Sequence, residues 1–407
     1  MISKIKEYVT KQSTFLYIIF WVIAAGVTFS TFIYILENWF SFSSDPDFRR
    51  NIIPSALAMV GGIGGVGYLV IRYRERQAAF REEERVLNKD LEEKMMTAIT
   101  MLGNKDAPST RIAGVYMLAD IADTQKGSYQ QRVVDILCGY LRTEREKDNA
   151  VESTILNIFR IHLLEFRLNQ DYSISVKQLL ADDQLWCDYN IDLHGTMFCE
   201  VTDFGGATFT KEADFIKAKF TEFAYFREAI FTNSAYFRKT DFKNITDFQE
   251  ATFTKVAYFG EADFKDIANF IGATFTKKVY FDEVIFRKKA DFSKAKFISA
   301  ADFNITTFTS TAYFKETTFT KEIDFSGVTF TKEADFSKAD FKDITNFQEA
   351  TFKKAIYFSE TTFTRKKPPV FPKGFPLQNN GLPEGAKWIE DSAQTSSPYQ
   401  HKQVLPR

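Results

Sequence analysis

The hydrophobic rhythm of the chain changes twice along its length. Phe15 to Leu36 (FLYIIFWVIAAGVTFSTFIYIL) and Ile52 to Ile71 (IIPSALAMVGGIGGVGYLVI) are runs without a charged residue. At about 1.5 Å rise per residue, each is long enough to cross a ~30 Å hydrocarbon core. The pattern predicts two transmembrane helices, spanning about 15–36 and 52–72, joined by a short loop containing Asp45, Pro46 and Asp47. From Arg72 to about Leu102 the apolar positions Leu87, Leu91, Met95, Ala98 and Leu102 keep a helical spacing among Glu, Lys and Arg. Further apolar stripes at Ile112, Val115, Leu118, Ala119 and Ala122, then at Ile155, Ile158, Phe159 and Leu163, predict packed antiparallel helices up to about residue 190.

The second change is abrupt. From Leu193 to Phe363 an aromatic or apolar residue stands at alternating intervals of five and six, 32 positions in all, 31 of them Phe. Two residues before each stands Ala, Thr, Val or Ile, as at Ala213, Ala218, Val284, Ala290, Ala295 and Thr345. Intervals of five and six suit neither a helix nor a flat strand. They suit a solenoid that turns a corner after each short extended segment, with the Phe and the small residue two before it facing inward. Large rings alternating with small side chains then fill a narrow interior.

"ADFSKADFKD" resembles the A(D/N)LXX unit of pentapeptide repeat proteins, with Phe in the central place. The resemblance covers Ile191 to about Lys366 and implies a right-handed, four-sided β-helix with 22 residues per coil. "LGNKDAPSTRIAGVYMLADIA" and "WCDYNIDLHGTMF" are similar to segments that precede such repeats in membrane-anchored bacterial members. The expected fold is therefore mixed. It comprises a transmembrane hairpin over 1–73, a small all-α connector over 74–190, a quadrilateral β-helix over 191–366 and a Pro-rich tail over 367–407, in which Trp388 covers the open end of the rod.

Charge adds orientation. Lys4, Lys6 and Lys11 precede the first apolar run and Arg72, Arg74, Arg76, Arg81 and Arg85 follow the second, so the positive-inside rule places both termini in the cytoplasm, and the resemblance to membrane-anchored bacterial members implies that the membrane is a bacterial inner (plasma) membrane. The overall balance of 52 basic and 53 acidic residues gives no global attraction to nucleic acid. Three cysteines, Cys138, Cys187 and Cys199, form no disulfide framework.

Chemistry is sparse. His162, His194 and His401 stand at no metal-ligand spacing, and no nucleophile is paired with a base. No catalytic residue, cofactor or metal is expected. Gly62-Ile-Gly64-Gly65-Val66-Gly67 matches GxGxxG but lacks the strand before it, so Gly61 and Gly65 read instead as a GxxxG helix-packing pair, within the chain or in a homo-oligomer. The repeated Asp of ADF reads as a turn residue bonding nearby amides. With 22 residues per coil, Tyr236, Tyr258 and Tyr280 stack on one outer face, a candidate contact platform. The expected function is a non-enzymatic, membrane-anchored scaffold for protein contacts, its protein partner unknown. The alternative is a regulator of a nucleic-acid enzyme by DNA mimicry, as the resemblance allows, although 25 basic against 26 acidic residues over 191–366 make a poor polyanion and direct nucleic-acid binding is not expected.

Overall fold

The computed structural model describes residues 19–20, 23–24, 26–35, 38, 46–125, 127–143, 149–164 and 185–389. The chain divides into two compact units, Met1–Glu93 and Lys94–Arg407.

In the first unit the long helix α1 (Pro46–Leu102) begins and runs on into the second. Among the described residues no helix is long and apolar enough to cross a membrane. This corrects the expected transmembrane hairpin and, with it, the expected placement in the inner membrane. The run at 52–72 is no separate span. It belongs to one unbroken helix that takes in Pro46 and Asp47 from the expected loop and continues past Arg72 into a charged segment. Five glycines and Pro54 dilute its apolar content. In the run at 15–36 the longest continuous described helical stretch is 26–35, about 15 Å, and the remainder lies partly outside the described residues.

The second unit is a coil of short strands closed at one end by helices. Each strand has two residues, and each pairs in parallel with the strand one coil further on. The register Ile191↔Ala213 and Asp192↔Asp214 sets the coil at 22 residues, and it is kept as far as Thr362. Four walls result. The first runs from Ile191–Asp192 to Thr345–Asn346, the second from Met197–Phe198 to Thr351–Phe352, and the third from Thr202–Asp203 to Ile356–Tyr357. The fourth runs from Thr208–Phe209 to Thr362–Phe363 and gains a ninth strand, Lys387–Trp388.

The interior follows from side-chain size. The repeated Phe side chains are buried along the coil, as are the small residues two positions before most of them. Phe281 stacks on Phe259 at 4.8 Å and on Phe303 at 4.7 Å, and meets Phe270 and Phe292 edge-on at 5.5 and 5.4 Å. Each ring is thus packed both along and across the rod, in the two geometries that aromatic quadrupoles favour. At Thr240, Thr306, Thr317 and Thr361 the buried hydroxyl donates to a Phe carbonyl of the preceding coil, at 2.6–2.8 Å, whereas Thr202, Thr246 and Thr345 donate to the carbonyl two residues back at 3.3–3.4 Å and the buried Thr196 hydroxyl has no partner among the described residues.

The alternation of five and six reflects two kinds of corner. Every five-residue corner carries a left-handed residue two places after the Phe: glycine at 195, 206, 272 and 327, and a side chain at twelve further positions from Lys217 (φ 58°) to Glu360 (φ 59°). Many of these corners are held by the Asp or Asn just before the Phe. Asp203, Asp214, Asp247, Asn269, Asp291, Asp302, Asp324, Asp335 and Asn346 each accept a hydrogen bond from the amide two residues on, at 2.8–3.1 Å.

Helices α2 (Pro108–Thr124), α3 (Ser128–Arg142) and α4 (Asn149–Leu163) share their core with the first coil. The α3 and α4 helices lie against its strands. Buried Glu152 of α4 accepts from the amides of Cys199 and Glu200 at 2.6 and 3.0 Å, and buried Trp186 packs on Phe159 and His162. Beyond the last coil, Phe371 stacks on Phe347 at 5.4 Å and Phe375 meets Phe352 edge-on at 5.4 Å. Trp388 lies on the fourth wall, paired with Phe363, with its indole N–H donating to the Asn380 carbonyl. The final stretch, including everything after Ser392, lies outside the described residues.

Candidate interaction surface

The outward position of the first wall reads, coil by coil, Asp192, Asp214, Tyr236, Tyr258, Tyr280, Asp302, Asp324, Asn346. Parallel pairing without a register shift stacks equivalent side chains about 4.8 Å apart. The tyrosines take full advantage of it. Tyr236 and Tyr258 rings lie 5.1 Å apart and 3° from parallel, and Tyr258 and Tyr280 lie 5.3 Å apart at 2°. The ring faces are therefore covered by one another, and Lys278 Nζ sits 4.3 Å from the Tyr280 centroid. What the column presents outward is ring edge and phenol oxygen. Tyr236 Oη donates to Glu212 at 3.4 Å, and its phenol is pushed up by burial, with Glu212 adding to the shift.

The column is framed by carboxylates. Asp214 and Asp302 stand directly before and after the tyrosines, and both carboxyls are raised from the ordinary range. Burial is the main cause in each, and the like charges of Asp192 beside Asp214 and of Asp324 beside Asp302 add to it. Lys278 reaches Asp302 at 4.0 Å. The aspartates also accept the amides of Ile216 and Asn304. A tyrosine ring in the same place cannot cap that amide.

Other candidates resolve differently. Asp192, His194 and Asp214 bring potential ligand atoms within 4.8 Å of one another. The Arg142 guanidinium already contacts Asp192 and lies 3.3 Å from His194 Nδ1. A cation there would meet a fixed positive charge, and the group acts as an ion-pair cluster joining α3 to the first coil. Cys138 is buried and its thiol is pushed up to about 12, chiefly by that burial, which removes it as a nucleophile. Buried His162 has Asp123 at 2.9 Å and the Ile158 carbonyl at 2.7 Å and stacks on Trp186. It is a packed core residue. The GxGxxG stretch lies wholly inside α1, with no strand before it. Gly61 and Gly65 are both on that helix, and a Cβ at Gly65 would meet nothing within 4 Å, while the surroundings of Gly61 lie outside the described side chains.

The hydrogen bond to a nearby amide expected of the repeated Asp is present here at Asp214, Asp302 and Asp324, and Asn346 makes it too; it is this bond that separates the Asp and Asn of the column from its tyrosines.

Residues 193–241, 237–285, 281–329 and 325–365 match the family model described as pentapeptide repeats (9 copies). No curated protein and no solved structure matches the chain.

Proposed function

Residues 193–365 are pentapeptide repeats, and on that premise we propose that the chain is a non-catalytic scaffold that holds a protein partner on the first wall of its solenoid, at Tyr236, Tyr258 and Tyr280. The observation that carries this reading is the exchange made in that column. Asp214, Asp302, Asp324 and Asn346 cap a turn amide, a bond contributing about 0.5–1.5 kcal/mol. The three tyrosines give up that bond and gain stacking of about 0.5–1.5 kcal/mol per pair. Three bonds are exchanged for two stacked pairs, so folding gains nothing from the exchange, and a run of three tyrosines on one wall supports a role in contact. Ring edges and hydroxyls on a rigid wall suit a partner that brings hydrogen-bond acceptors and apolar side chains.

Regulation of a nucleic-acid enzyme by DNA mimicry would draw on a surface dominated by carboxylates. The near-equal charges over 191–366 and the lysine beside the tyrosines favour the scaffold instead.

Photo-crosslinking separates the walls. A photoreactive residue at position 258 is expected to join a definite partner, whereas one at Asn269, on the third wall of the same coil region, is not. Equal labelling from both positions would remove the first wall as the contact face.

A further inference from the structure

The two ends of the solenoid are finished differently. At the start, α3 and α4 cover the first coil. At the far end the first wall is extended by Val370, whose carbonyl takes the Phe347 amide at 2.7 Å, and the fourth by Lys387–Trp388. The second and third walls end at Thr351–Phe352 and Ile356–Tyr357 with no further strand.

The hydrogen-bond pattern identifies which groups are left. In the second wall each strand's amides donate back to the preceding coil, as Thr351 does to Val328 and Lys353 to Phe330. Its last free groups are therefore the carbonyls of Ala350 and Phe352. In the third wall the amides donate forward, as Ala334 does to Ala355 and Phe336 to Tyr357. Its last free groups are the amides of Ile356 and Phe358. None of these four has a backbone partner among the described residues. Two acceptors and two donors thus stand on adjacent edges of one corner, the arrangement that an added strand completes.

Side chains say what kind of strand. Half-exposed Phe352, Ile356, Phe371 and Phe375 form the apolar floor of this end beside the buried Leu382 and Ala386, and exposed Tyr357 stands at the outward position of the third wall. The corner between the two open edges carries Lys353 and Lys354, both exposed and in no ion pair among the described residues. The equivalent corner of the first two coils carries Glu200 and Glu222, so the charge changes sign along the rod.

We propose that this open end receives an extended segment of another protein, carrying acidic and apolar side chains, by strand addition to the third wall, where the Ile356 amide is the donor. The site is separate from the tyrosine column, so it stands or falls independently of that reading.

The probe is a synthetic peptide of alternating Glu and Val about ten residues long, with its Lys–Val counterpart as control, titrated into the full chain and followed by fluorescence anisotropy. The Glu–Val peptide is expected to bind and the Lys–Val peptide not to. Two variants test the mode. Ile356→Pro removes an amide that the chain itself does not use, and the double variant Lys353→Glu/Lys354→Glu reverses the corner charge. Each is expected to weaken binding about tenfold or more, while Tyr258→Asp leaves it unchanged. Equal binding of both peptides, or binding indifferent to either variant, overturns the proposal. So does self-association that Ile356→Pro abolishes, which would make a second copy the occupant. Binding that appears only after residues 390–407 are removed would make the chain's own tail the occupant and equally overturn it.

Discussion

Ile305 holds a left-handed backbone at φ 57° with a β-branched, exposed side chain. Four equivalent corners use glycine, which adopts this conformation without a steric penalty. Ile305→Gly is expected to relieve about 1 kcal/mol of strain and raise the melting temperature by about 2–4 °C, as thermal unfolding would read. A lower melting temperature would mean that the Ile305 side chain, which a Cβ placed on Gly327 would meet at 3.5 Å, matters more than its backbone. Asp214 gives a test in pH. Its carboxyl is raised in the folded state, by burial first and then by Asp192. Its ionised form is therefore a net cost above the ordinary carboxylate range, and that cost disappears as pH falls and the group takes up its proton. Asp214→Asn keeps an acceptor for the Ile216 amide. It is expected to melt about 1 °C higher at pH 7, a small gain because the group is half exposed, and to lose that advantage below about pH 4.

At the scale of the element, the coil is a stack of interchangeable turns whose cohesion is aromatic. Phe281 is fully buried and touches rings above, below and on both sides, so Phe281→Ala is expected to cost about 3–5 kcal/mol, measured by chemical denaturation. Unchanged stability would contradict the packed interior. This part of the fold was legible in advance because one residue type recurs at a fixed interval and needs only a place to point. The corners were less legible. A sequence shows where a gap of five occurs but not that it is closed by a left-handed residue, since twelve of the sixteen such positions carry a side chain. The segment after Lys366 was read as little more than a tail with Trp388 at the rod's end. Phe371 and Phe375 prolong the core there at a spacing that breaks the ladder. Absence of charge over 52–72 does not by itself make a span, since the helix from Pro46 continues without a boundary to Leu102.

For the whole of the second unit, the decisive joint is between helices and coil. Glu152 carries the joint: from α4 it holds two amides of the first coil. Glu152→Ala leaves those donors without their charged acceptor and is expected to cost about 1.5–3 kcal/mol, seen as a lower denaturation midpoint. A separate early unfolding step of the helices, detected by hydrogen exchange, would show that the joint was the point of failure.

The central claim is that the tyrosine column binds a partner rather than serving the fold. The most direct measurement is the affinity of the partner crosslinked from position 258 for the full chain carrying Tyr236→Asp, Tyr258→Asp and Tyr280→Asp together. Aspartate is the residue that the same column uses elsewhere, although seven carboxylates would then stand in one column along the wall, so melting is followed in parallel. The folded variant is expected to bind at least about a hundredfold more weakly. Retained affinity in a variant that folds would contradict the claim.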